Sequence, residues 1–272
     1  MNRDICINCK TKLEGPYCHS CGEKSVTDKD FTIGKLLEQT VDVFTHLDSK
    51  LLNTLKYLLF KPGKLSVSYI EGLRKPFMKP FQIFILTNVL FFLLLSNVDI
   101  FKIPSSYFFK QQNIKGYNIS NIVLRKTIET NKTKNEIALL YDQKSATLAK
   151  TCLIIFIPLL SFAFALLFIR QKLQIGKHIV FSTHLFSFLL LMLVMWTELF
   201  NLLPKINLST LYLNIIPSLL IWSIYFAIAI RRFYKVNWIY TIISTAISIA
   251  VIFLGIESYR FAISFYSLHT IH

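Results

Sequence analysis

The stretch IVFSTHLFSFLLLMLVMWTELF, Ile179 to Phe200, decides the fold class. Its 22 residues contain one acid and no lysine or arginine. At 1.5 Å per residue it forms a helix of about 33 Å, long enough to cross a hydrocarbon layer of about 30 Å. Four further apolar runs flank it, at 81–98, 148–169, 206–230 and 239–256, and each is long enough to cross. Pro158 and Pro217 fall inside two of them and predict kinks, because each frees a carbonyl that a neighbour must satisfy.

The chain as a whole agrees with this reading. Its 272 residues are 53% hydrophobic and 17% charged, with a mean hydropathy of +0.50, outside the usual balance of a soluble domain. The expected fold is an all-α membrane protein of about five transmembrane helices. An amphipathic segment and a small N-terminal four-cysteine zinc ribbon precede the spans. The corresponding divisions are a zinc-ribbon head at 1–28, an amphipathic juxtamembrane segment at 29–80, a first span at 81–98, a polar insert at 99–147 and a four-helix block at 148–272.

The net charge of +15 would suggest nucleic acid in a soluble protein. Here the basic residues sit in the connections between spans. There they meet anionic headgroups at the cytoplasmic face, and no separate basic face remains for nucleic acid. Arg170, Lys172 and Lys177 lie in one connection and Arg231, Arg232 and Lys235 in another, whereas 201–205 carries only Lys205 and the tail only Arg260. The alternation predicts a cytoplasmic N-terminus and an external C-terminus. The insert at 99–147 is basic yet nearly long enough to translocate regardless of charge, so it is expected outside.

Four of the five cysteines form two knuckles, Cys6-x-x-Cys9 and Cys18-x-x-Cys21, with no apolar leader before them. In a reducing compartment clustered thiols bind metal more often than they pair as disulfides. Two matched knuckles supply the four soft ligands that a tetrahedral zinc ion takes, and a closed sphere of four thiolates leaves no position for substrate. The zinc is therefore expected to be structural, with His19 as an improbable substitute ligand while four thiols are at hand.

From Phe31 to Phe60 apolar residues recur every three or four positions, including Leu37, Val41, Phe44, Leu51, Leu55 and Leu58. That is a helical stripe, too polar on its other face to span, so it lies on the membrane or packs against the bundle. Lys61-Pro62-Gly63 ends it, and a short helix over Ser66–Leu73 leads to Pro80 at the start of the first span.

The order Cys6-Ile-Asn-Cys9, Tyr17-Cys18-His-Ser-Cys21-Gly22-Glu-Lys24, Leu52-Asn-Thr54-Leu55, Lys61-Pro62-Gly63 and Tyr69-Ile70-Glu-Gly72-Leu-Arg74-Lys75-Pro-Phe77 resembles the bacterial membrane family called domain of unknown function 3667. The resemblance covers residues 5–95. It implies a bacterial inner-membrane protein, marks Tyr69, Gly72, Arg74 and Lys75 as motif positions of unknown role, and implies no activity.

His184 and Glu198 are ionisable groups within a span, hence functional candidates. Fourteen residues separate them, about 21 Å along a helix, so they cannot pair. Both lie within about two turns of a span end, where hydration or a hydrogen bond to a neighbouring helix accounts for them, and replacement is expected to be tolerated. Three function classes follow. An accessory, scaffolding or regulatory protein would dock a partner at the zinc head or self-associate. A transporter or channel would run a path through helices 2–5 past His184 or Glu198. An enzyme is disfavoured, since no nucleophile, base and oxyanion grouping can be assembled.

Overall fold

A computed structural model describes the backbone of residues 5–6, 9–21, 49–74, 76–95, 99–111, 118–202 and 210–271, and the side chains of these except 200–202 and 210–217. The described residues are helical, with no strand beyond an isolated antiparallel bridge between Ile5 and Lys12. The chain divides into two compact units, Met1–Asn53 and Thr54–His272. The amphipathic stripe is seen only in its last part, as α1 over residues 49–60; 31–48 lie outside the described residues.

The second unit continues with α2 (Lys64–Ile70), α3 (Pro80–Leu94), α4 (Ser105–Phe108), α5 (Ile119–Thr130), α6 (Lys134–Thr151), α7 (Phe156–Leu167), α8 (Ile175–Leu202), α9 (Thr210–Tyr234) and α10 (Trp238–His269). Among the described residues three stretches are long and apolar enough to cross a membrane: Lys134–Leu167, Ile175–Leu199 and Trp238–His269. The α3 helix has 15 residues, about 22 Å, and falls short of a full crossing by itself. The short helix ahead of it runs over Lys64–Ile70 rather than Ser66–Leu73, because Gly72 takes φ +102° and stops it.

The packing leaves apolar side chains on the outside, as suits a bundle surrounded by lipid. Phe81, Ile85, Val89 and Leu93 on α3, Leu159, Phe162 and Leu166 on α7, and Ile239, Ile242, Ile243 and Leu254 on α10 all face outward. Small polar residues fill the interior instead: Thr183 and Ser187 on α8 and Thr241, Ser244 and Ser248 on α10 are buried. Each turns its hydroxyl back on the carbonyl four residues earlier, at 2.6–2.8 Å. That satisfies the hydroxyl within its own helix and lets backbones approach. Aromatic rings fill what remains, with Phe156 stacked on Phe186 at 5.1 Å and Phe168 on Tyr234 at 3.7 Å.

The expected interruption at Pro158 takes the form of a 3-10 turn over Cys152–Ile155, directly ahead of α7. Pro158 then occupies the first turn of a new helix, where its missing N–H costs no bond. The α9 helix runs on through position 217; the Pro217 side chain lies outside the described ones.

Residues 99–147 hold α4, α5 and the start of α6, and α6 reaches the bundle through the 3-10 turn. The sequence cue is Thr133, whose hydroxyl accepts from the Glu136 N–H at 3.3 Å while the Glu136 carboxylate accepts from the Thr133 N–H at 2.7 Å. Asp142 on α6 accepts from the N–H and hydroxyl of Ser105 at 2.9 and 2.6 Å. Phe108, Ile119, Ile137, Tyr141, Leu268 and Ile271 form a second apolar cluster here, joining this segment to the end of α10. Lys144 and Lys126 close it by donating to the Thr270 and Ile271 carbonyls, at 2.7 and 3.2 Å. The insert and the C-terminal end therefore share one end of the bundle.

Candidate metal centre and the docked helical hairpin

Within the first unit, the two knuckles bring the sulfurs of Cys6, Cys9, Cys18 and Cys21 within 4.8 Å of one another. The first knuckle closes through Lys10 N–H to the Cys6 carbonyl at 3.0 Å and Cys6 N–H to the Thr11 carbonyl at 2.9 Å, with Lys10 in the left-handed region at φ +62°. The Cys6 and Cys21 sulfurs are 3.6 Å apart and those of Cys9 and Cys18 3.4 Å. A disulfide needs about 2.05 Å. A tetrahedron with arms of about 2.3 Å has sulfurs about 3.8 Å apart, so the spacing fits four ligands around one ion. Cys6 and Cys18 are buried, which shields half of the sphere from solvent. The Cys9 thiol is drawn down to about 6, first by the Thr11 hydroxyl at 3.2 Å, then by the Thr11 backbone and by Cys18. This favours the thiolate that a metal requires. His19 is exposed and outside the cluster; Lys24 lies outside the described residues.

The second unit contains a different construction, in which α1, α2 and α3 are fastened to α8 and α9. Thr54 is fully buried, and its hydroxyl accepts the Met78 N–H at 2.9 Å. The Tyr57 and Phe77 rings pack at 4.8 Å, closing α1 onto the chain entering α3. Between α1 and α2 the Pro62-Gly63 turn lies against α9. Gly63 has φ +70°, and a Cβ there would lie 2.7 Å from the Ala229 carbonyl oxygen. Only glycine meets both demands. Arg232 donates to the Pro62 carbonyl at 2.5 Å, and the Tyr225 hydroxyl donates to the Leu58 carbonyl. One carbonyl of the last turn of α1 and one of the turn that follows are thus satisfied from α9.

His184 belongs to this fastening. It is buried, and its Nδ1 lies 2.9 Å from the buried Ser66 hydroxyl on α2. The Tyr69 ring meets it edge-on at 6.1 Å, and the Arg74 guanidinium caps the Tyr69 ring at 5.1 Å while Arg74 Nε donates to the Tyr69 carbonyl at 3.3 Å. Three motif positions of the sequence thereby acquire structural roles: Tyr69 packs on His184, Gly72 stops α2, and Arg74 covers Tyr69. Lys75 lies outside the described residues. Glu198 is half-buried on the far part of α8 and is not brought to His184.

Sequence reasoning passes over several of these groups. Ser66 and Ala229 carry no motif of their own, Arg232 reads only as an orienting charge and Tyr225 only as a polar contact between helices, and the Pro-Gly pair alone signals a tight approach. The apolar pattern also ends the last span at 256, whereas α10 continues to His269 and places Glu257 and Arg260 on a bundle helix. Their side chains pair at 2.8 Å. With Trp222 they border a cavity of about 570 Å³ between α8, α9 and α10, lined otherwise by residues such as Leu189, Leu193 and Ile252. Neither His184 nor Glu198 is among its described lining residues.

No curated protein and no solved structure matches the chain. Residues 48–92, which hold α1, α2 and most of α3 and hence the hairpin fastened to α8 and α9, match the model of the family described as protein of unknown function (DUF3667).

Proposed function

We propose that this protein is an accessory, scaffolding or regulatory protein of a bacterial inner membrane, in which a structural zinc ion shapes the N-terminal head for docking a protein partner. The observation that carries the reading is the spacing of the four sulfurs, which suits one closed tetrahedral ion and no substrate position. A head of that kind acts through its surface. In this reading the chain crosses five times, by the run at 81–98 that contains α3, by α6 with α7, and by α8, α9 and α10. The N-terminus is cytoplasmic, and the insert and C-terminus lie outside. The shared end of the insert and α10 supports this arrangement, as do the basic residues at 170–177 and 231–235.

The test uses the full chain in mild detergent, with zinc content measured and co-purifying proteins identified. Wild-type protein should carry one zinc ion and a specific partner. Cys9→Ser with Cys21→Ser should lose both while membrane level and thermal unfolding of the bundle stay unchanged. A partner retained without metal would overturn the docking role, and a head that holds no zinc would overturn the metal assignment.

A further inference from the structure

The cavity between α8, α9 and α10 is the feature that neither the metal head nor the docked hairpin uses. Its volume is about 570 Å³, within the range of sites that hold a sizeable ligand. Along α10 its lining runs from Ile249 to Arg260, about 16 Å. Leu189, Leu193, Phe226, Ile249 and Ile252 give it apolar walls, and Phe253 and Glu257, exposed at its edge, leave one side open. A slot of this length and lining suits an alkyl chain.

Polar groups border the cavity as well. Glu257 and Arg260 are ion-paired at 2.8 Å, yet Arg260 Nε and Trp222 Nε1 are buried donors without a hydrogen-bond partner among the described residues. A buried donor left unpaired costs on the order of 1–3 kcal/mol, so the site favours a ligand that brings an acceptor. Arg260 lies 22 residues beyond the first residue of α10, about 33 Å, which places it at the headgroup edge of a layer about 30 Å thick. The alkyl slot then extends inward from that edge, as a lipid chain does.

The charges select the headgroup. The Glu257 carboxylate stands beside the guanidinium, so an added anion meets attraction and repulsion together, whereas a head carrying both phosphate and ammonium meets a partner for each. We propose that this cavity is a binding site for one acyl chain of a zwitterionic, amine-bearing phospholipid drawn from the leaflet opposite the Arg231–Arg232 end. The phosphate accepts from Arg260, and the ammonium pairs with Glu257.

The test is native mass spectrometry of the delipidated full chain, titrated with phosphatidylethanolamine, phosphatidylglycerol and a free fatty acid of equal chain length. One phosphatidylethanolamine should bind at least tenfold more tightly than either competitor. Arg260→Gln should weaken it by on the order of tenfold or more. Leu193→Phe, which narrows the apolar slot and leaves the ion pair intact, should weaken binding of all chains while thermal unfolding without lipid is retained. Preference for phosphatidylglycerol or the fatty acid, or binding unchanged in both variants, overturns the proposal.

Discussion

Gly63→Ala should loosen the hairpin that fastens the DUF3667 segment to α9, and the structure gives the size of the effect. Two costs add. A β-carbon at φ +70° puts an L-residue in the left-handed region, worth about 1–2 kcal/mol. The same carbon would sit 2.7 Å from the Ala229 carbonyl oxygen and 2.9 Å from its Cα, both backbone atoms that no rotamer can move aside. Overpacking of this kind costs about 1–3 kcal/mol, for a total of roughly 2–5 kcal/mol. Gly72→Ala separates the two costs, since Gly72 has φ +102° but nothing within 4 Å of where a Cβ would lie, so only the backbone cost remains. Thermal unfolding in one detergent, with trypsin cleavage after Lys64 and Arg74 as a local readout, compares them. Gly63→Ala should lower the melting temperature further than Gly72→Ala and speed cleavage. Ala229→Gly should fail to rescue it, because the opposing atoms belong to the α9 backbone. Equal effects of the two glycine substitutions, or rescue by Ala229→Gly, would refute the close-approach argument.

Other outcomes follow from the same geometry. His184→Ala should destabilise the bundle by roughly 2–4 kcal/mol in a detergent unfolding assay, because it empties a buried site and strips the Ser66 hydroxyl of its partner; full tolerance would return His184 to the status of a peripheral polar residue. Ser66→Ala should have a smaller effect, about 1–3 kcal/mol, seen in the same assay. In the head, the depressed Cys9 thiol gives thiolate-dependent stability that is complete above the ordinary thiol value of 9.0 and is lost as pH falls through about 6. Thr11→Val removes the largest cause of that depression, so its zinc-release midpoint should move to higher pH when metal is followed with a chromophoric chelator. Single cysteines at 125 and 270 should label from one side of the membrane and those at 172 and 233 from the other; labelling of 270 from the side of 233 would contradict the shared end of the insert and α10.

The helices are legible in the sequence because apolar length and Pro, Asn and Thr cues act locally. The Thr133–Glu136 capping pair and the Asn237 cap of α10 can be read from spacing alone. The cysteine cluster is legible for the same reason, since all four thiols fall within a short stretch of chain. Helix ends are less so. Glu257 and Arg260 end an apolar run by composition, yet in the fold they neutralise each other within one helical turn and the helix continues. The insert reads as a separate polar block because lysines dominate its composition. Its folding depends on Leu268 and Ile271, more than 120 residues away, and local pattern carries no record of such a contact. His184 shows the same limit. Its place in a span allows hydration or a hydrogen bond to a neighbouring helix, and the fold uses the second, but Ser66, the α2 residue that binds it, carries no signal in the sequence.

One level of the bundle ties these features together. At the end of α6 the chain changes from α to 3-10 geometry over Cys152–Ile155, and the carbonyls of the preceding turn lose regular partners. They are met from two other helices: the Tyr259 hydroxyl on α10 donates to the Ala149 carbonyl at 3.1 Å, and the Asn88 amide on α3 donates to the Lys150 carbonyl at 3.3 Å. Phe101 fills the space between, edge-on to Phe91 at 5.3 Å, Phe156 at 6.3 Å and Tyr259 at 6.4 Å. A helix that breaks at this point therefore binds α3 and α10 more firmly than an unbroken one would, because its unpaired carbonyls are the acceptors. Arg260 follows Tyr259 directly. The residue that borders the cavity thus sits in the same turn of α10 as the hydroxyl that satisfies the broken end of α6.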